Sequence, residues 1–303
     1  MRKLVAVRKP TSVASQMKPH DKLTEVETRA ALHYATHDGV ALQGDLYLPK
    51  GAGPFPVLVA VHGGGWVQGA RNAFQYWGPY LAARGTALFA VSYRFAKAGQ
   101  KTFPQAVQDV LAGIQYVRGN AKEFKLDAER LGLIGASAGA HLASLAALAG
   151  SVPPFAGGYP QDTHAALGTK VKVLVGVYGI YDTLEMWQHY QHQNPRENNI
   201  EKFIGVSPLD DRRPYFEASP ISYATTANNK LAVLLACGTD DDLVNRRPQT
   251  DAFLLALKQA GFFVRPCILQ GALHYWMNDP IKEPGSFTGF LAPRLVRFLA
   301  EKL

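Results

Sequence analysis

The spacing of apolar and polar positions changes several times along the chain, and each change marks a predicted element. Residues 30–36 (AALHYAT) and 40–49 (VALQGDLYLP) alternate apolar with polar around the turn HDG. That alternation predicts an antiparallel hairpin. Residues 56–62 (PVLVAVH) form a continuous apolar run, as in a strand covered on both faces. A helix is expected near 73–84 and a strand at 86–92 (TALFAVS). After Pro104, the residues Val107, Val110, Leu111, Ile114 and Val117 recur at helical spacing, and a proline suits the opening of a helix. Further strands are predicted at 130–135, 171–178, 230–237 and 263–269. A helix follows the first of these, another ends near Gly261, and an amphipathic helix closes the chain from about Thr288 to Leu303.

Strand and helix in alternation favour a mostly parallel, twisted sheet of about eight strands with helices on both faces. Residues 179–229 break the rhythm with polar stretches such as HYQHQNPRENN and short helical fragments, which is too much chain for an ordinary loop. Such an insertion after the sixth strand is expected to wall a site. Its aromatics Trp187, Tyr190, Phe203, Tyr215 and Phe216 are the candidates for that wall. No repeat or linker divides the rest, so a basic arm over 1–25 and a single domain over 26–303 are expected.

Composition narrows the class. In 303 residues, 47% are apolar and 18% charged, which describes an ordinary globule large enough for one sizeable α/β domain. No apolar run approaches the roughly 20 residues of a membrane span. The first residues carry positive charge but only four consecutive apolar positions; with no signal-peptide core, a cytoplasmic location is expected. The net charge is +8, and residues 1–22 hold +5 of it. Basicity is therefore mostly a property of the arm, and without a nucleic-acid motif no nucleic-acid partner is expected. Cys237 and Cys267 lie in separate apolar runs and are expected as buried free thiols. The oligomeric state is left open.

The chemistry centres on LIGASAGAHLASLAAL, residues 133–148, a strand that turns into a helix with Ser137 at the corner. Gly135, Ala136, Ala138 and Gly139 strip the surroundings of side chains. A surface turn has no need of that, whereas a nucleophile lifted onto a tight strand-to-helix corner does. A serine needs a base, and the base an orienting acid. In an open sheet both come from loops at the carboxyl ends of strands. After His192 the only histidine is His274, in LQGALHYW behind the last predicted strand, and ACGTDDDLV precedes it. The order Ser, Asp, His results, as nucleophile-elbow hydrolases require. Chemistry alone does not choose among Asp240, Asp241 and Asp242. Consecutive glycines in VHGGGW, residues 61–66, can offer backbone N–H groups to a tetrahedral oxyanion. A phosphate loop would need a following Lys-Ser/Thr, which is absent. His189 and His192 share a spacing that suits a helix face but have no third partner, so no metal is expected. His141, one turn past the serine, is read as structural.

Together, HGGGW, GASAGAHLA, YGIYD, FEASPISY, GTDDDLV and GALHYW resemble the α/β-hydrolase superfamily. They are most similar to carboxylesterases of the hormone-sensitive-lipase-like and kynurenine-formamidase-like groups, over roughly residues 25–303. The resemblance implies an α/β-hydrolase fold, Ser137 as nucleophile, His274 as base, and oxyanion donors from Gly64, Gly65 and Ala138. It also points to Asp241 as the acid, three residues before Val244. Cys237 and Asn245 depart from the family's usual histidine and proline and leave the shape of the acid loop open. The expected activity is hydrolysis of carboxylic esters through an acyl-enzyme, with no cofactor. An arylformamidase or amidase is the alternative enzyme, and a non-catalytic ligand-binding protein the alternative of a different class. Trp66, Trp187, Tyr190, Tyr275 and Trp276 are read as substrate-binding aromatics, which favours aryl or bulky apolar esters.

Overall fold

The computed structural model describes residues 23–193, 197–281 and 285–303; nearly all of the basic arm lies outside them. Eight strands form one sheet: β1 (Val26–His37), β2 (Val40–Pro49), β3 (Phe55–Val61), β4 (Ala87–Val91), β5 (Leu126–Ala136), β6 (Val173–Val177), β7 (Ala232–Gly238) and β8 (Val264–Leu269). Their order across the sheet is β1-β2-β4-β3-β5-β6-β7-β8. The hairpin β1–β2 and the pair β2–β4 are antiparallel, and every pair from β4 to β8 is parallel.

The continuous apolar runs are explained by the two faces. Along β3, Val57, Val59 and Val61 enter one core, while Leu58 and Ala60 enter the other. The first core is closed by α2 (Gln105–Gly119), α3 (Ala138–Ala149) and α7 (Ala252–Gln259). The second is closed by α1 (Trp77–Ala82) and α8 (Phe287–Lys302). A strand with no solvent face has no reason to alternate.

Local outcomes differ from the sequence pattern in small ways. The helix expected near 73–84 is a 3₁₀ turn at Arg71–Phe74 followed by the short α1. Pro104 caps α2 from outside, because Gln105 is its first residue. The helix before Gly261 opens with a π-helical turn at Arg247–Asp251. Residues 179–229 carry α4 (Thr183–Gln193), α5 (Asn199–Ile204) and α6 (Arg213–Glu217). The parallel strands β3, β5, β6, β7 and β8 deliver the loops after residues 61, 136, 177, 238 and 269 to one edge of the sheet. That is the edge where an open α/β sheet binds its ligands.

Candidate active site

Ser137 sits where β5 becomes α3, with φ 55° and ψ −125°. A side-chain-bearing residue adopts this conformation only under constraint. The constraint is visible on both sides. A Cβ on Gly135 would overlap the carbonyl of Gly139, and a Cβ on Gly139 would overlap the carbonyls of Val61 and His62. The Ser137 N–H donates to the Val177 carbonyl at 2.9 Å, and the His141 N–H donates to the Ser137 carbonyl at 3.1 Å. The corner is thus pinned to β6 and to its own helix.

Around Ser137 the loops bring together three side chains far apart in sequence. Ser137 Oγ lies 3.0 Å from His274 Nε2, and His274 Nδ1 lies 2.7 Å from Asp241 Oδ2. All three are buried. The other oxygen of Asp241 accepts the Leu243 N–H at 3.1 Å and the Val244 N–H at 2.9 Å, which fixes the side chain with Oδ2 toward the imidazole. Its neighbours make other contacts. Asp240 receives the Thr239 hydroxyl at 2.7 Å. The Asp242 carbonyl accepts His189 Nε2–H at 3.2 Å and Gln193 Nε2–H at 3.0 Å, while Asn245 donates to His189 Nδ1 at 3.1 Å. So the insertion's helix α4 grips the acid loop from outside. A hydroxyl, an imidazole and a carboxylate in this sequence can pass the serine proton to the imidazole and hold the resulting imidazolium.

The glycine loop after β3 lies against the same corner. Gly64 and Gly65 have φ of 126° and 58°, conformations that suit residues without a Cβ. Among the described residues, neither N–H has a hydrogen-bond partner. Ala138 is the first residue of α3, where helix geometry leaves N–H groups free. A cleft of about 380 Å³ adjoins Ser137, and its lining includes Gly63, Gly64, Asn72, Tyr178, Tyr275 and Asn278.

The aromatics divide. Tyr275 is exposed and lines the cleft, edge-on to His274 with ring centroids 4.6 Å apart. Tyr190 is half-buried; burial chiefly, and the nearby Tyr275 after it, push its phenol up to about 12. Trp187 is half-buried against the core and donates to Glu201 Oε2 at 3.0 Å. Trp66 is not a cleft residue. It is fully buried, stacks on Phe203 at 5.1 Å and donates to His141 Nδ1 at 3.1 Å. Trp276 is likewise buried, edge-on to Tyr178. Phe203 and Tyr215 are core residues, while Phe216 is exposed. The aromatic wall expected of the insertion is therefore a correction: none of these insertion aromatics lines the cleft beside Ser137. Phe203 and Tyr215 instead enter the core, with Trp187 and Tyr190 packed against it, since large apolar area gains most by leaving water.

One cleft residue escaped the sequence reading, and His141, read as structural, has a definite structural task. Tyr178, directly after β6, lines the cleft with its ring 4.3 Å from the imidazole of His274; its place at the carboxyl end of the strand beside Ser137's was the available signal. His141 is a junction. Burial drives it down to about 4, so it is neutral. Its Nε2–H donates to the Ala218 carbonyl at 2.7 Å, which leaves Nδ1 to accept from Trp66. One buried ring thus ties the glycine loop, the Ser137 helix and the insertion together.

This fold and these loops define the α/β-hydrolase class. Solved structures share the architecture: a thermophilic esterase of Thermogutta terrifontis superposes with a TM-score of 0.69 at 22% identity, covering 92% of each chain. An acetyl ester-xyloside bifunctional hydrolase of Caldicellulosiruptor lactoaceticus gives 0.72 at 20% identity, over 87% of this chain and 89% of that one. The chain belongs to the BD-FAE family, whose model matches residues 44–256. Among curated proteins, it is 33% identical to esterase LipC of Mycobacterium tuberculosis over 57% of this chain and 41% of that one. It is 31% identical to isoprenylcysteine alpha-carbonyl methylesterase ICME of Arabidopsis thaliana, over 78% of this chain and 55% of that one. The chain spans about half the length of the curated relatives it matches.

Proposed function

We propose that the protein is a serine hydrolase of carboxylic esters. Ser137 Oγ attacks the ester carbonyl, His274 takes its proton, and Asp241 holds the imidazole in the tautomer that can accept it. The N–H groups of Gly64, Gly65 and Ala138 stabilise the oxyanion. The alcohol leaves with the proton from His274, and water activated by the same ring releases the acid. The observation that carries this reading is the chain of short contacts from Ser137 through His274 to Asp241, opening on a cleft beside unpartnered N–H groups.

The domain plan belongs to the same proposal: residues 26–303 act as one unit, and 179–229 serve the site by bracing the acid loop and the glycine loop. Tyr178 and Tyr275 line the cleft, which supports small aryl esters as substrates, because planar groups stack on such rings. A cytoplasmic location is supported by two buried free thiols, and fractionation of the producing cells tests it. No helix among the described residues is long and apolar enough to cross a membrane.

Activity is tested on a panel of aryl, alkyl and acetylated-sugar esters together with N-formylkynurenine. Turnover of esters well ahead of the formamide is expected, with short aryl esters leading. Turnover of the formamide alone, or of nothing that Ser137→Ala abolishes, would overturn the assignment.

A further inference from the structure

Tyr178, the residue directly after β6, has φ 37°. A bulky side chain in the left-handed region is an outlier that persists only where its surroundings impose it, and such residues cluster at functional sites. Seven residues other than glycine have positive φ among the described residues, and three of them, Ser137, Tyr178 and Tyr275, line the one cleft. A glycine would take this conformation freely, so what Tyr178 adds is its ring. A single peptide unit ties its backbone down. The carbonyl of that unit, on Val177, accepts the Ser137 N–H at 2.9 Å, and its N–H, on Tyr178, donates to the Ala236 carbonyl of β7 at 2.6 Å. The nucleophile's corner and the tyrosine's backbone share one anchor.

The ring serves the catalytic base. It belongs to a residue 2% exposed, against 58% for Tyr275, so a substrate in the cleft meets mainly Tyr275. The centroid of the Tyr178 ring lies 4.3 Å from that of His274 with the planes 50° apart, and the buried Trp276 packs edge-on against it at 5.3 Å. Burial raises the Tyr178 phenol above its ordinary value, so it stays neutral and exchanges no proton with the imidazole. His274 needs such a neighbour. Its hydrogen bonds to Asp241 and Ser137 locate the two ring nitrogens but resist only weakly a tilt about the line joining them. A ring packed against the imidazole resists that tilt by contact.

We propose that Tyr178 is the positioning residue for the catalytic base: its ring fixes the tilt of the His274 imidazole, so that Nε2 faces Ser137 while Nδ1 faces Asp241. The proposal rests on the esterase reading for what His274 does, but the packing of ring on ring does not, and one of its two tests needs no turnover.

Steady-state kinetics on an aryl and an alkyl ester are read in Tyr178→Leu, which keeps apolar bulk but removes the ring. Misplacing reacting groups by about 1 Å costs on the order of 10²-fold, so kcat should fall on that order for both esters, with KM within a few-fold. Tyr178→Phe should recover most of the loss, because the ring does the positioning. A loss confined to KM or to the aryl ester would make Tyr178 a substrate contact, and an unchanged kcat would leave it a core residue; each overturns the proposal. So would an equal loss in Tyr178→Phe, which would place the effect on the hydroxyl.

Proton NMR gives the second readout. The proton between His274 Nδ1 and Asp241 Oδ2, 2.7 Å apart, should give a far-downfield signal that His274→Gln removes, alongside those of the His37 ring protons facing Asp109 and Asp162. In Tyr178→Leu the His274 signal should broaden or vanish through exchange with water while the His37 signals stay, and Tyr178→Phe should restore it. Intact His37 signals report a folded chain; if Tyr178→Leu lacks them, Tyr178→Met is read in its place. A His274 signal unmoved in the folded variant would overturn the proposal. Failure of the wild-type chain to hydrolyse any ester would overturn the esterase reading and leave the NMR result to decide the positioning.

Discussion

Two histidines in this molecule each hold a carboxylate at 2.7 Å, and only one of them is built to move a proton. His274 gives one nitrogen to Asp241 and the other to the Ser137 hydroxyl beside a cleft. His37, fully buried where β1 ends, gives Nδ1 to Asp109 and Nε2 to Asp162, both at 2.7 Å, and stacks on Tyr159 at 3.5 Å. Asp109 is in turn clamped by Arg94, whose backbone N–H and guanidinium both donate to it. Two carboxylates can be satisfied only if both ring nitrogens carry protons. His37 is therefore an imidazolium in a buried ion network, with no lone pair to offer. A carboxylate next to a histidine does not define a base. The partner of the second nitrogen does.

Breaking each assembly separates the roles. Ser137→Ala has the largest expected effect: ester turnover falls on the order of 10⁴-fold or more, while the thermal melt stays close to wild type. Asp241→Asn comes next, with a loss on the order of 10³- to 10⁴-fold, because an amide favours the wrong imidazole tautomer. Asp240→Asn and Asp242→Asn should remain within a few-fold of wild type, since the carboxylate bonded to His274 is that of Asp241; steady-state kinetics on one aryl ester checks all three. Equal losses at the three positions would mean that the loop's aspartates substitute for one another.

His37→Leu should do the reverse. It takes the ring partner from Asp162 and leaves Asp109 with Arg94 alone, a change whose cost is bounded by the about 3–5 kcal/mol of a broken buried ion pair, read as a lower denaturant midpoint. The rate constant of the folded fraction should stay within a few-fold. The smallest effect is a pH dependence. Burial pulls the His37 pKa down, but the hydrogen bonds and charges of Asp109 and Asp162 outweigh it, and the net shift is upward from 6.5. A group whose pKa is raised on folding stabilises fully below its unfolded value and loses that contribution as pH rises through the folded value. The stability gap between wild type and His37→Gln should therefore be widest in mild acid and narrow toward alkaline pH. A gap that widens with pH would contradict the imidazolium assignment.

Much of this architecture was legible because it is written locally. The strands β3, β4, β6 and β7 are uninterrupted apolar runs, and the hairpin announces itself by alternation. Ser137 was legible because two glycines and two alanines crowd one corner. His274 was found by elimination along the chain. The choice among three consecutive aspartates was not local: it depends on Asp240 turning to Thr239 and on α4 gripping Asp242 from another loop. The aromatics misled because a ring's sequence position does not say which way it turns. Trp66 follows the glycine loop, yet its ring faces Phe203 and His141 rather than the cleft. The His37 network was invisible for a related reason, since its partners lie 72 and 125 residues away and no spacing rule joins them.

The central claim is that Ser137 is an activated nucleophile, and covalent titration with an organophosphate tests it most directly. An alkyl fluorophosphonate should inactivate the enzyme with one equivalent per chain as Ser137 Oγ displaces fluoride from phosphorus, and peptide mapping should place the adduct on Ser137. Asp241→Asn should slow labelling steeply, and denatured chain should not label. His37→Leu, in its folded fraction, should label at close to the wild-type rate. Inactivation with the adduct on another residue, or ester turnover persisting after Ser137 is fully modified, would contradict the account.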